Sequence, residues 1–298
     1  MEIQHKTQCG YVAILGRPNV GKSTLLNKLL GQKLSITSDK PQTTRHQILG
    51  IKTKNNVQAI YIDTPGLHQD TKKAVNRMMN RAASSVIHDV DVIIFMLDAR
   101  YWTLEDEWIA KKLEGSTKTL LVALNKIDLL KDKETLLPLL DQLSKQFPHA
   151  EFIPLSVTKN QNVDELEAWV NQHLPIHPYI FSENQLTDRD DKFRIAEVVR
   201  EKIMRGSGQE VPYETAVTVE SVKMKDNVLH IEVIIWVERR GQKLILLGKK
   251  GERMKEIGKL ARLDLEKIFV TKVFLRLWIK VKKGWSDDEK SLSQLGMG

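Results

Sequence analysis

Residues 11–23 read Tyr11-Val-Ala-Ile-Leu15-Gly16-Arg17-Pro18-Asn19-Val20-Gly21-Lys22-Ser23. The first five form an apolar run of strand length, and the next eight have the spacing of a phosphate-binding loop. Gly16 and Gly21 let the backbone bend until several N–H groups converge on one anion. Lys22 is placed to reach the β/γ-phosphates, and Ser23 offers a hydroxyl to Mg²⁺. The next run, Thr24 to Leu30, has helical character, so its partial positive N-terminus faces the same phosphates. Strand, glycine loop and helix in that order predict an α/β fold with a nucleoside triphosphate site at its start.

Working outward, strand-length apolar runs alternate with amphipathic segments. Strands are expected at Tyr11–Leu15, Gln47–Lys52, Gln58–Ile62, Val92–Leu97, Thr119–Leu124 and Phe152–Leu155. Helices are expected near Ser23–Leu30, Lys73–His88, Glu105–Glu114, Lys133–Gln146 and Val163–His173. This alternation predicts a mostly parallel sheet with helices on both faces. Ligands of such sheets bind beyond the carboxyl ends of the strands, where the glycine loop lies. The pattern breaks at Leu174-Pro-Ile-His-Pro178. We therefore expect a nucleotide domain over 1–176, a polar linker over 177–190 and a second domain over 191–298.

The chain has 298 residues and a formal net charge of +8, unevenly spread. Residues 191–298 hold 23 basic and 16 acidic side chains, while residues 1–190 hold 23 and 22. A basic second half suggests a polyanionic partner, although a surplus of solubilising lysine reads the same way. The single cysteine, Cys9, excludes an intrachain disulfide, fits a reducing, cytoplasmic setting and is expected to be inert. The most apolar stretch, Val90 to Ala99, is too short to span a bilayer and carries Asp91 and Asp98.

Further signals follow the glycine loop in order. The run Ala59–Ile62 leads into Asp63-Thr64-Pro65-Gly66, where a carboxylate can serve Mg²⁺ and the Gly66 N–H a γ-phosphate. Between loop and carboxylate lies Pro41-Gln-Thr43-Thr44-Arg45; a threonine there completes the metal shell, Thr44 being favoured over Thr43. The run Thr119–Leu124 leads into Asn125-Lys126-Ile127-Asp128. Asp128 can accept from guanine N1–H and the exocyclic amine; adenine would set a lone pair against it, and unpaired buried polar groups discriminate strongly. Asn125 would tie the base site to the glycine loop, and the Lys126 stem would cover the ring. Backbone N–H groups at Ser156-Val157-Thr158 are placed for guanine O6.

In the second half a helix (Lys192–Arg205) is expected before two β runs, Glu214–Val222 and Val228–Val237. A glycine-interrupted helical stretch and a last run, Lys272–Val281, follow. Gly248-Lys249-Lys250-Gly251 is a tight cationic turn able to press N–H groups and charge on successive phosphates of a single strand. Lys243, Arg253 and Lys255 crowd the same side. Ile231, Val233, Ile235 and Trp278 are expected in the core rather than on a base-stacking platform.

Together these motifs resemble those of the translation-factor-type GTPases. The form of the glycine loop, with Thr43-Thr44-Arg45, resembles the bacterial Era family. The second-half order and its glycine turn are similar to a type II KH domain, which Era proteins carry. Thr187-Asp-Arg189, Glu197-Val-Val-Arg-Glu-Lys202 and Gly284-Trp285 extend the resemblance over nearly the whole chain. It implies a GTP- and Mg²⁺-dependent GTPase, with Lys22, Thr44 and Gly66 at the reacting phosphate and Ser23, Thr44 and Asp63 around the metal. It also implies binding of the 16S rRNA 3′ end and the 30S subunit, a role in assembly of that subunit, and peripheral contact with the inner membrane. A monomer is expected. Leu67 stands where Ras-like proteins carry a catalytic glutamine, so hydrolysis should be slow. Asn19 is a place to hold a monovalent cation such as K⁺; equal hydrolysis in K⁺ and Na⁺ buffers would exclude that. Two other readings stay open: an RNA-binding protein with a relic nucleotide site, and a GTPase whose basic domain targets lipid or protein.

Overall fold

The computed structural model describes residues 6–38, 40, 43–66, 74–206, 215–285 and 288. The chain forms two compact units. The first comprises Met1–Ser35, Thr44–Asp70 and Met79–Asp188; the second comprises Ile36–Thr43, Thr71–Met78 and Arg189–Gly298.

The first unit holds β1 (Gln8–Leu15), α1 (Lys22–Leu30), β2 (Ile48–Lys54), β3 (Val57–Asp63) and, from Met79 onward, α2 (Ala74–Asp89). Then come β4 (Val92–Asp98), α3 (Leu104–Leu113), β5 (Thr119–Asn125), α4 (Leu137–Gln146), β6 (Glu151–Pro154) and α5 (Val163–His173). The six strands lie in the order β2-β3-β1-β4-β5-β6. All neighbours are parallel except β2, which pairs antiparallel with β3 through the Asn55-Asn56 turn. Both asparagines have positive φ, the conformation a tight hairpin needs. The buried central strands read as continuous apolar runs, as in Val92–Leu97, where every residue is nearly sealed from solvent. Because β1, β3, β4, β5 and β6 all run the same way, the glycine loop, Asp63, Asp98, Asn125 and Leu155 meet at one edge of the sheet.

One expected helix is corrected. The helix expected over Lys133–Gln146 is a 3₁₀ turn, Lys133–Leu136, followed by α4 with Pro138 in its first turn. The stretch expected as a linker is held by the first unit's sheet. Ile180 and Phe181 donate their backbone N–H groups to Gln58 Oε1 at 2.9 Å each, and Ile51 N–H donates to the Leu186 carbonyl at 2.7 Å. Tyr179 and Phe181 pack beside Cys9, Ile51 and Ile60. The stretch is polar and turn-rich, and its few apolar side chains anchor it.

The second unit contains α6 (Asp191–Gly206), β7 (Thr215–Lys225), β8 (Val228–Val237), α7 (Arg240–Leu247), α8 (Glu252–Phe269) and β9 (Lys272–Val281). Its sheet runs β7-β8-β9, the first pair antiparallel and the second parallel. The helices cover one face. Val198, Val199 and Ile203 of α6, Leu246 of α7 and Ile257, Ala261 and Leu265 of α8 form one core with Ile231, Val233 and Ile235. The helical stretch expected to be interrupted by glycine is two separate helices, α7 and α8.

Candidate nucleotide-binding site and nucleic-acid interface

The glycine loop is braced from three sides. Gly21 has φ 112°, and a Cβ there would stand 2.5 Å from Asn125 Nδ2, so the loop backbone closes directly on the side chain that ends β5. Asn125 Nδ2 donates to the Val20 carbonyl at 2.7 Å, and its Oδ1 accepts from Val157 N–H at 3.1 Å. One buried amide thus joins the phosphate loop, the end of β5 and the turn after β6. Lys126 Nζ donates to the Asn19 carbonyl at 2.7 Å and lies 2.9 Å from Asp98 Oδ2. On the third side Arg17 turns away from the loop mouth. Its Nε pairs with Asp106 Oδ2 at 3.0 Å, and its guanidinium stands 5.0 Å from the Tyr101 ring centroid. Asp106 is also half of the capping box that starts α3 with Thr103.

Lys22 is buried and its Nζ donates to the carbonyls of Gly16 (2.9 Å) and Arg17 (3.0 Å). Burial lowers its ammonium to about 8, against the opposing pull of Asp63. Beside it three oxygens converge. Ser23 Oγ donates to Asp63 Oδ2 at 2.7 Å and lies 2.8 Å from Thr44 Oγ1, which reaches the same carboxylate oxygen at 3.4 Å. Asp63 Oδ1 is buried with no hydrogen-bond partner among the described residues, and burial pushes the carboxyl above its ordinary range. A hard, all-oxygen donor set with an unspent carboxylate oxygen fits Mg²⁺. Thr43 is elsewhere: its Oγ1 donates to the Lys40 carbonyl at 2.6 Å and meets Ser38 Oγ at 2.7 Å.

Thr64 is buried and spends its hydroxyl on the Ile14 carbonyl at 2.9 Å, fixing the corner that Pro65 and Gly66 continue. A Cβ on Gly66 would stand 2.8 Å from Pro18 Cγ, so that corner lies against the glycine loop. Leu67 lies outside the described residues. At the base end, Lys126 has φ 70° and opens a 3₁₀ turn in which Ile127 is buried and Asp128 is exposed. Ser156 N–H is used by the Gln161 carbonyl (3.1 Å), and Val157 N–H by Asn125. Two of the three donors expected for guanine O6, those of Ser156 and Val157, therefore have protein partners, and Val157 would have to share its hydrogen.

Two buried carboxylates that brace the site, Asp98 and Asp106, escaped the sequence reading. Asp98 accepts from Arg100 Nε and Nη2 (2.8 and 2.7 Å) as well as facing Lys126. Burial alone would raise its carboxyl, but these hydrogen bonds prevail and hold it at about 2. It ends β4 as Asp63 ends β3, a repetition that would have revealed it. Asp106 is visible only as a Thr-x-x-Asp cap.

In the second unit the glycine turn separates α7 from α8. Gly248 has φ 70° and ψ 179°, a region open in practice only to glycine, and a Cβ there would meet Arg253 Cβ at 2.7 Å. Lys249 and Lys250 are exposed, Lys250 with left-handed backbone, and Lys243 sits half-buried on α7. Arg253 Nη1 donates to the Ile245 carbonyl at 2.8 Å and so closes the end of α7. A groove of about 440 Å³ runs from Gly251 between α8 and β9, lined by Lys255, Gly258, Lys259, Arg262, Leu275 and Leu277. Of these only Gly251 and Lys255 were singled out from sequence; the helical spacing of Lys255, Lys259 and Arg262 was a usable signal. Trp278, expected in the core, is 52% exposed, because strand alternation sends it to the face opposite Leu277.

Comparison with known proteins adds three findings. A family model described as "50S ribosome-binding GTPase" matches residues 11–126, and a KH-domain model matches residues 210–286. The chain is 54% identical over 298 residues to the GTPase Era of Pseudomonas putida, covering 100% of this chain and 99% of that one. It is 55% identical over 292 residues to GTPase Era of Pseudomonas entomophila, covering 98% and 97%. Two solved structures match with a TM-score of 0.94. One is an Era variant of Aquifex aeolicus bound to GDP·AlF4⁻, 40% identical, with 98% of this chain and 100% of that one covered. The other is Era in complex with MgGDPNP and nucleotides 1506–1542 of 16S ribosomal RNA, 41% identical, with 98% and 99% covered.

Proposed function

This chain belongs to the Era family of GTPases, and we propose from that premise how its own residues carry out the GTP cycle and reach RNA. GTP is the substrate, Mg²⁺ the cofactor and small-subunit ribosomal RNA the macromolecular ligand, in line with the bound states of the related structures. The observation that carries the reading is the convergence of Ser23, Thr44 and Asp63 beside the buried Lys22.

Phosphoryl transfer depends on positioning and charge more than on covalent chemistry. Lys22 exchanges two backbone carbonyls for phosphate oxygens. The loop N–H groups and the start of α1 hold the α- and β-phosphates. Mg²⁺, held by Ser23 and Thr44 with Asp63 behind them, neutralises charge between the β- and γ-phosphates. Gly66 offers its N–H to the γ-phosphate. Asn125 and Lys126 fix the loop to the base pocket, where Asp128 reads guanine. Thr44 adjoins Ile36–Thr43, a segment that groups with the second unit. Within that unit Arg205 Nε and Nη2 donate to the carbonyl and hydroxyl of Thr37 (3.0 and 2.9 Å), and Arg200 donates to the Thr43 carbonyl. This supports a switch in which the state of Thr44 is felt along the same segment.

The proposed domain limits are a GTP-binding domain over 1–176, a connecting stretch over 177–190 that docks on the first unit's sheet, and an RNA-binding KH domain over 191–298. RNA enters by Gly248–Gly251 and the groove of α8 and β9. The setting is assembly of the 30S subunit. Among the described residues no helix is long and apolar enough to cross a membrane. The test is crosslinking of the full chain to ribosomal RNA in GTP and in GDP. Crosslinks between the small-subunit 3′ end and Gly248–Gly251 that vanish in Lys249→Glu/Lys250→Glu support the reading. Unchanged crosslinks, or liposome binding that needs those lysines while RNA does not, would overturn it.

A further inference from the structure

Among the described residues, α6, α7 and α8 pack on one face of the β7-β8-β9 sheet and leave its second face uncovered. In β8 the odd-numbered Ile231, Val233 and Ile235 are sealed in the core, so alternation turns His230, Glu232, Ile234 and Trp236 to the other face, where Ile234, opposite Trp278, is only 5% exposed. Along β9 the outward row is Phe274, Arg276, Trp278, Lys280: ring, cation, ring, cation, at steps of about 6.6 Å. Phe274 and Trp278 are 47% and 52% exposed. The neighbouring strand supports each of them in register. His230 lies 5.1 Å from Phe274 between ring centroids, Glu232 pairs with Arg276 at 2.9 Å, and Lys280 Nζ stands 5.8 Å from the Trp236 ring. Trp236 is itself held by its Nε1–H, which donates to Thr218 Oγ1 at 2.9 Å. These rings are thus displayed on a backbone that cannot fold them away.

The charge at the two ends of the row is mostly positive. A hollow of about 400 Å³ at the Phe274 end is lined by Lys223, Lys225 and Arg276 with Glu232. Past the other ends of β8 and β9, a hollow of about 610 Å³ holds Arg239, Arg240 and Lys283 with Glu238. Six cations therefore line these two hollows against two carboxylates. An occupant must bring regularly spaced negative charge and flat apolar faces together. An acidic peptide brings only the charge, a lipid headgroup has no face for a ring, and a double helix hides its base faces. We propose that this outer face is a second nucleic-acid surface, a platform on which the bases of a single strand stack on Phe274 and Trp278 while Arg276, Lys280 and the end cavities take its phosphates. It is distinct from the glycine-turn groove, because Leu275 and Leu277 of that groove point to the opposite face of the same strand. Only the choice of RNA over DNA rests on the function proposed above.

The test uses the full chain and a labelled, unstructured RNA of about 16 nucleotides, the upper span of a single stacking domain. Affinity, salt dependence and tryptophan quenching are read for wild type, Phe274→Ala/Trp278→Ala and Lys249→Glu/Lys250→Glu. The double alanine variant should keep its circular dichroism and melting, since both rings are exposed, and lose about 5-fold or more in affinity per ring. Trp278→Phe should restore most of that loss. Lys280→Gln should reduce the salt slope by about 0.7, one phosphate contact. The glycine-turn variant should retain weakened binding that still quenches tryptophan. Wild-type affinity in a folded Phe274→Ala/Trp278→Ala protein would overturn the platform while leaving the glycine turn intact. Wild-type affinity in Lys249→Glu/Lys250→Glu alone would instead sink the groove reading. Displacement of the RNA by a polyglutamate peptide, with no effect of Trp278→Phe or alanine on peptide binding, would reassign the face to an acidic protein and also overturn the proposal.

Discussion

Replacing Asn125 with alanine should loosen the whole nucleotide edge of the first unit. The side chain is 4% exposed and makes one bond at each end of its amide, to the Val20 carbonyl and from the Val157 N–H. Truncation removes both partners at once and leaves a carbonyl and an N–H buried without water. Each orphan costs about 1–3 kcal/mol, so the expected loss is about 2–6 kcal/mol. Against a typical total of about 5–15 kcal/mol, that places the unit near its threshold. Urea unfolding followed by hydrogen exchange on peptides from residues 8–173 separates this transition from that of the second unit. Asp128→Ala is the internal control. Asp128 is exposed, so its loss should cost within about 0.5 kcal/mol of stability while weakening guanine binding. A loss below about 1 kcal/mol in Asn125→Ala, with Asp128→Ala equally stable, would refute the claim that this amide ties loop to base site.

Thr44→Ala should lower the affinity for GTP in Mg²⁺ by about tenfold or more, as expected when a bond to a charged centre is lost, whereas Thr43→Ala should stay near wild type; equilibrium titration with and without EDTA distinguishes them. Asp98 titrates at about 2 when folded, below its ordinary value, so its stabilisation is complete above about pH 4 and is lost as pH falls toward 2. Asp98→Asn should therefore be less stable than wild type at neutral pH, and the difference should shrink across that acid window in urea melts.

Much of the site was legible because its signals are local. The glycine loop, Asp63 and Asn125–Asp128 each follow an apolar run that announces a strand, and parallel strands bring their carboxyl ends to one edge without further information. What stayed hidden depends on partners distant in sequence. Arg17 sits inside the phosphate motif, yet its guanidinium is committed to Asp106, 89 residues away. Thr43 and Thr44 are adjacent and chemically alike; only the path of the backbone sends one hydroxyl to Ser23 and the other to Ser38. The stretch at 177–190 reads as a linker because its polar residues outnumber the few apolar ones that dock. Trp278 was misplaced for another reason: its strand alternates correctly, but alternation alone does not say which face the helices cover.

The central claim is that a purine triphosphate is gripped by the glycine loop and chosen by the carboxylate at position 128. Calorimetric titration of GTP and ATP, each with Mg²⁺, into wild type and Asp128→Asn tests it most directly. GTP should bind wild type tighter by about 10⁴-fold, the discrimination of a site built to hydrogen-bond its ligand, and Asp128→Asn should lose most of that margin. Equal affinity of the wild-type protein for the two nucleotides would contradict the account.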